Sequence, residues 1–124
     1  MTADWVRLCR RSGFIVDEPH VDVQLDEGRH HRLTVSDRPD AYHMVGLVAR
    51  QSVVASLPDV PVQAWLRNRT TMLVGFRIDR QGRLIAESWV PKLGLTTEEF
   101  QLYLRTLATE CDRFEYLLTG RDAE

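Results

Sequence analysis

Between residues 72 and 118 the apolar positions fall into two periods, first of two and then of about three and a half. The stretch MLVGFRIDRQGRLIAESWV alternates around Arg80-Gln81-Gly82. A three-residue turn with glycine third, in the left-handed conformation, closes a hairpin of fixed register. It pairs Ile78 with Leu84, Phe76 with Ala86 and Met72 with Val90, and so makes one face almost wholly apolar. The other face carries Arg77 and Glu87 as diagonal neighbours, together with Leu73, Ile85 and Trp89. After Gly94 the period changes. Phe100, Leu104, Leu107, Cys111, Phe114 and Leu118 form a continuous helical seam. Thr96 and Glu99 have the spacing of a capping box, with Leu95 and Phe100 as its hydrophobic staple. Leu102 and Tyr116 fall on the side away from the seam, Gly120 stands where a C-cap is expected, and Thr119–Glu124 reads as a loose tail.

The first half repeats the theme with weaker punctuation. Thr2 is placed to cap a first helix whose apolar stripe is Trp5, Leu8 and Cys9, with Val6 at its flank. Asp4 falls in its opening turn, Arg10 and Arg11 in its closing turn, and Gly13 beyond it. Val21, Val23 and Leu25 alternate with polar residues up to Asp26-Glu27-Gly28. That turn pairs Leu25 with Arg29, Val23 with His31 and Val21 with Leu33. Tyr42–Val48 reads as a third strand, and an irregular continuation through Val53 and Val54 is left open because Gly46 and Gln51-Ser52 interrupt the run. Asp59-Val60-Pro61 opens a short helix ending near Asn68, with Val62, Trp65 and Leu66 as its apolar side. The elements therefore run α-β-β-β-α-β-β-α. Adjacent strands of this kind predict an α+β fold, an antiparallel sheet with helices packed on one face.

Size and composition narrow the class. The 124 residues form one domain, 1–124, with 44% hydrophobic and 27% charged residues and a net charge of −2. No global field draws such a chain to nucleic acid or to an anionic membrane. The opening MTADWVRLCRRSG is too polar for a signal peptide, and no apolar run approaches the ~20 residues of a membrane span. The expected location is the cytoplasm, where Cys9 and Cys111 would stay as buried thiols.

Catalytic chemistry finds little support in the residues. His30 and His31 are consecutive on a strand, point to opposite faces, and cannot chelate one metal together. His20 and His43 add no metal-binding spacing. Ser52, Ser56 and Ser88 lack a nucleophile turn, and the seven glycines are scattered singly, so no phosphate loop exists. The sequence thus predicts no catalytic residue, no cofactor and no metal. Arg67, Arg69, Arg77, Arg80 and Arg83 cluster around a single acid, Asp79, and offer a phosphate-binding face as the alternative reading. No aromatic interleaving marks a base-stacking platform beside them.

The residues that point to a function are apolar ones with no place in the predicted core. Trp65 and Leu66 crowd one short helix, and Leu73, Ile85 and Trp89 lie on the second sheet face. Aromatic-rich exposed patches mark interfaces, so these five are the candidate partner or dimer surface. Homodimerisation is the simplest way to use such a surface.

Asn68 through Leu118 resembles the YbjN family, also described as bacterial sensory transduction regulators. The resemblance is carried by Asn68 at the end of a short helix, by Phe76-x-x-Asp79-x-x-Gly82-x-Leu84, by Leu95-Thr96-x-Glu98-Glu99, and by Asp112. It implies the fold of type III secretion chaperones, which are small homodimers that hold extended or partly unfolded client segments. It therefore implies a non-enzymatic, chaperone-like or adaptor domain with a client protein as partner, linked to a stress response. Arg50–Pro58 departs from the family by being more apolar and strand-like.

Overall fold

The computed structural model describes residues 4–123, and side chains for residues 4–120. Six strands form one sheet: β1 (Phe14–Asp17), β2 (His20–Gln24), β3 (His30–Asp37), β4 (Ala41–Ala49), β5 (Gly75–Ile78) and β6 (Leu84–Pro91). Their spatial order is β1-β2-β3-β4-β6-β5, and every neighbouring pair is antiparallel. Among the described residues four α-helices, α1 (Asp4–Leu8), α2 (Gln51–Ser56), α3 (Val60–Thr70) and α4 (Thr97–Ala123), and a 3-10 turn at Asp26–Gly28 complete the fold.

α4 lies along one face of the sheet and forms the core with it. All six seam residues from Phe100 to Leu118 are buried against Val21, Val23, Leu33, Met44, Leu84 and Val90. Phe114 meets Phe76 edge-on at 5.3 Å, and Phe100 meets Tyr42 in the same way at 5.4 Å. The capping box forms as its spacing requires: the Glu99 amide donates to Thr96 Oγ1, and the Thr96 amide donates to Glu99 Oε1, each at 3.1 Å. At Gly46 the helix comes so near that an added Cβ would stand 2.6 Å from Cys111 Sγ. α1 rests beside α4, with Trp5 and Cys9 buried and Gln101 Nε2 donating to the Leu8 carbonyl at 2.8 Å. α2 and α3 bridge β4 to β5, and α3 packs against β5 through Val60 and Ala64.

The two hairpins keep their expected registers. Val21 faces Leu33 and Val23 faces His31; Phe76 faces Ala86 and Ile78 faces Leu84. Gly28 and Gly82 have φ of 74° and 77°, the left-handed values a glycine in that turn position supplies. The fold class stands, with additions. β1 was not expected, because Phe14-Ile15-Val16 is too short to show alternation. The residues of the irregular continuation past β4 form α2 instead.

Other expectations need correcting. Met72 does not pair with Val90: β5 begins only at Gly75, because Leu73 takes a positive φ of 69° that breaks the ladder. Ser88 Oγ donates to the Leu73 carbonyl at 2.7 Å in place of a strand bond. Ile85 was expected on an exposed face, yet it is only 4% exposed. β6 is an interior strand, so Ile85 sits between Leu47 on β4 and Arg77 on β5, and their aliphatic parts cover it. The apolar side read for α3, Val62, Trp65 and Leu66, is exposed, and the side that packs carries Val60 and Ala64 instead. α3 ends at Thr70 rather than Asn68, and α1 ends before Arg10 and Arg11. Gly120 caps nothing, since α4 runs on through Ala123. The predicted cap Thr2 and the last tail residue, Glu124, lie outside the described residues.

Candidate protein-binding surface

α3 builds the first part of the surface. Residues spaced three and four apart on a helix share a side. Here Val62, Trp65 and Leu66 do so, facing solvent, with Trp65 58% and Leu66 43% exposed. The Arg69 guanidinium lies 5.1 Å from the Trp65 ring and restrains the indole. The opposite side of α3 is anchored. Arg67 sits 4.6 Å over the Phe114 ring and 3.6 Å from the Glu110 carboxylate, which ties the helix to α4.

The second part is the sheet face away from α4. Val45, Leu47 and Ile85 floor a shallow depression of about 320 Å³, with Arg32 and Arg83 on its rim. Trp89, 54% exposed, lies on the same face, stacked on its cross-strand partner His43 with ring centroids 3.8 Å apart. His43 Nε2 is 2.7 Å from Glu87 Oε1, and Arg77 Nε donates to Glu87 Oε2 at 2.5 Å. Burial pushes the Glu87 carboxyl up, but the hydrogen bonds from Arg77 and His43 outweigh it and hold it below the usual carboxylate range. The indole is therefore stacked on an imidazole that is itself held by the Arg77–Glu87 pair.

Leu73, 43% exposed, lies in the loop leading into β5. Of the five candidate residues, then, Trp65 and Leu66 share the α3 side, Trp89 stands on the open sheet face, Leu73 lies in the β5 approach, and Ile85 is floor rather than contact. Sequence reasoning put Val62 on the same side as Trp65 and Leu66 without naming it as part of the surface, and missed Met72, which is exposed in the same approach to β5.

The arginines of the alternative reading do not converge on one open face. Arg67 is engaged with Phe114 and Glu110, Arg77 with Glu87, Arg69 with Trp65, and Arg83 with Asp79 at 2.8 Å. Arg80 is exposed in the β5–β6 turn. Asp79 organises that turn. The amides of Gln81 and Arg83 both donate to its Oδ1 at 2.9 Å. The bond from the Arg83 amide is the chief reason its carboxyl is held below the usual range, against a smaller opposing effect of burial.

Chemistry-bearing groups are likewise occupied. His31 is buried, with Nε2 2.9 Å from the Leu47 carbonyl, while its neighbour His30 is exposed on the other face. Burial pushes the Cys9 thiol up to about 11 and the Cys111 thiol further up, so neither is poised as a nucleophile. Among the described residues no group of three or more His, Cys, Asp or Glu is arranged to hold a metal ion, and no helix is long and apolar enough to cross a membrane.

No family profile and no curated protein matches this sequence. Solved structures do match it in shape. A chain of the heterodimeric ExoU–SpcU complex from the type III secretion system of Pseudomonas aeruginosa aligns with TM-score 0.57 at 15% identity, covering 82% of this chain and 84% of that one. The HopA1–SchA chaperone–effector complex aligns at 0.56 and 13%, covering 90% and 88%. YbjN from E. coli aligns at 0.54 and 13%, covering 89% and 81%. At such identities the likeness is one of fold: the chain has the type III secretion chaperone-like fold, shared with YbjN.

Proposed function

We propose that this chain is a non-catalytic, chaperone-like protein-binding module that forms a homodimer through α3 and holds an extended segment of a client protein. The observation that carries the reading is the solvent-facing stripe of Val62, Trp65 and Leu66 on a helix whose other side is fixed to the body of the domain. A two-fold axis through that stripe would bring each helix against its copy, antiparallel, and cover both stripes at once. Client capture is left to the open sheet face around Trp89 and Leu47, and to the exposed sheet edge at β1, where an added strand would gain main-chain hydrogen bonds. The fold's occurrence in a chaperone–effector complex supports a client of this kind. A bacterial setting and a place in a stress response rest on the YbjN resemblance, and the cytoplasmic location on the polar opening stretch of the sequence.

The deciding experiment joins two measurements on the native chain and on Trp65→Ala and Trp89→Ala. Sedimentation reports the oligomer, and affinity purification with mass spectrometry reports clients. Trp65→Ala should dissociate the dimer, and Trp89→Ala should lose clients while remaining dimeric. A native chain that sediments as a monomer removes the α3 assignment. If both variants capture the same proteins as the native chain, the client surface is assigned wrongly.

A further inference from the structure

Antiparallel sheets expose their edges as rows of unpaired amide and carbonyl groups, and an open edge pairs with whatever strand it meets. This sheet has two edges, β1 and β5. On β5 the main-chain groups of alternate residues point away from β6. In β5 these are Phe76 and Ile78. The Phe76 amide donates to Asn68 Oδ1 at 2.7 Å, and the Phe76 carbonyl accepts from Asn68 Nδ2 at 2.9 Å. One carboxamide, projecting from α3, thus makes both bonds that a neighbouring strand would make.

We propose that Asn68 is an edge plug: its side chain takes the place of a seventh strand at Phe76 and keeps β5 from pairing with other polypeptide, which leaves β1 as the edge open to a partner. Three further features support it. Asn68 projects from the helix that packs against β5, so its carboxamide is held at that edge, and both of its bonds to Phe76 are partly shielded from solvent. Phe76 is buried and meets Phe114 edge-on, which fixes the strand side of the pair. The helix side is fixed too, because the adjacent Arg67 is clamped between Phe114 and Glu110. Among the described residues no side chain makes the corresponding pair of bonds to β1. The asymmetry between the edges deepens the client-binding reading, but the plug can be tested with no client present.

The test compares the native chain with Asn68→Ala and with Asn68→Asp, which keeps the acceptor for the Phe76 amide and loses the donor to its carbonyl. Hydrogen exchange at the Phe76 amide reads the plug, and sedimentation over a concentration series reads edge pairing. Asn68→Ala should exchange at Phe76 at least tenfold faster and form species larger than the native assembly, with unchanged helix content. Asn68→Asp should keep Phe76 protected and associate less, and it carries the comparison if the alanine variant does not fold. Unchanged exchange at Phe76 in Asn68→Ala overturns the proposal, and so does fast exchange without any added association. Failure of the client reading would instead show as missing clients with both of these results intact.

Discussion

His43 lies flat against Trp89, ring planes 11° from parallel, and the pair is joined across β4 and β6 rather than along the chain. Because the indole still exposes 54% of its surface, its removal should cost the fold little. Stacked pairs contribute about 0.5–1.5 kcal/mol beyond burial. Trp89→Ala is expected to lower unfolding stability by about 1 kcal/mol in a denaturant titration, while capture of the proposed client falls far more than that. A loss of stability without a loss of capture would make Trp89 a packing residue.

On α3 the balance tips further toward binding. Trp65→Ala should leave the melting temperature of the dissociated protomer nearly unchanged and weaken the proposed dimer by about 2 kcal/mol, the size of an interface hot spot. Sedimentation equilibrium measures the difference directly. A variant that melts early but still dimerises would place Trp65 in the fold instead.

Gly46 makes the opposite kind of demand. Its Cα faces α4 where an added Cβ would stand 2.6 Å from Cys111 Sγ and 2.8 Å from Leu33 Cδ2. Both neighbours are fully buried and cannot swing aside. Gly46→Ala should therefore destabilise the domain by about 1–3 kcal/mol, the usual cost of overpacking, read as a lower midpoint in urea.

Glu87 gives the fold an acid limb. Its carboxyl is held below the usual range, so the unfolded chain takes up the proton first as pH falls. The stability it lends is complete above the unfolded pKa of about 4.3 and fades as pH drops through the lower folded value. Glu87→Gln should lose about 1–2 kcal/mol at neutral pH and lose part of the acid dependence that the native chain shows below pH 5. Parallel curves for the two proteins would mean that other carboxylates set the acid limb.

The thiols should be silent. Cys9 and Cys111 are buried, and burial raises both pKa values. A thiol reagent at pH 8 should label neither until the chain unfolds, and full labelling should then track the unfolding transition. Fast labelling of one cysteine in the native state would reveal local opening near α1 or α4.

Local signals were legible from the residues alone. Both hairpin registers, the Thr96–Glu99 cap and the buried seam of α4 follow from spacing, because hydrogen-bond geometry within a turn or a helix depends only on neighbours in sequence. For the same reason the sequence could name Trp65, Leu66 and Trp89 as residues without a core to enter. It placed Val62 on the same side of the short helix but left it out of the surface, since spacing alone does not tell which apolar residues of a helix stay exposed.

What remained was decided by which elements meet. β6 lies inside the sheet because β4 docks on its free side, which sets Ile85 between Leu47 and Arg77 and places His43 against Trp89. Asn68 looked like the end of a helix. It became the partner of Phe76 only when α3 came to lie along β5. Such contacts join residues whose separation in sequence carries no periodic signal, so no pattern along the chain records them. Burial chooses the pairing, and burial is a property of the folded whole.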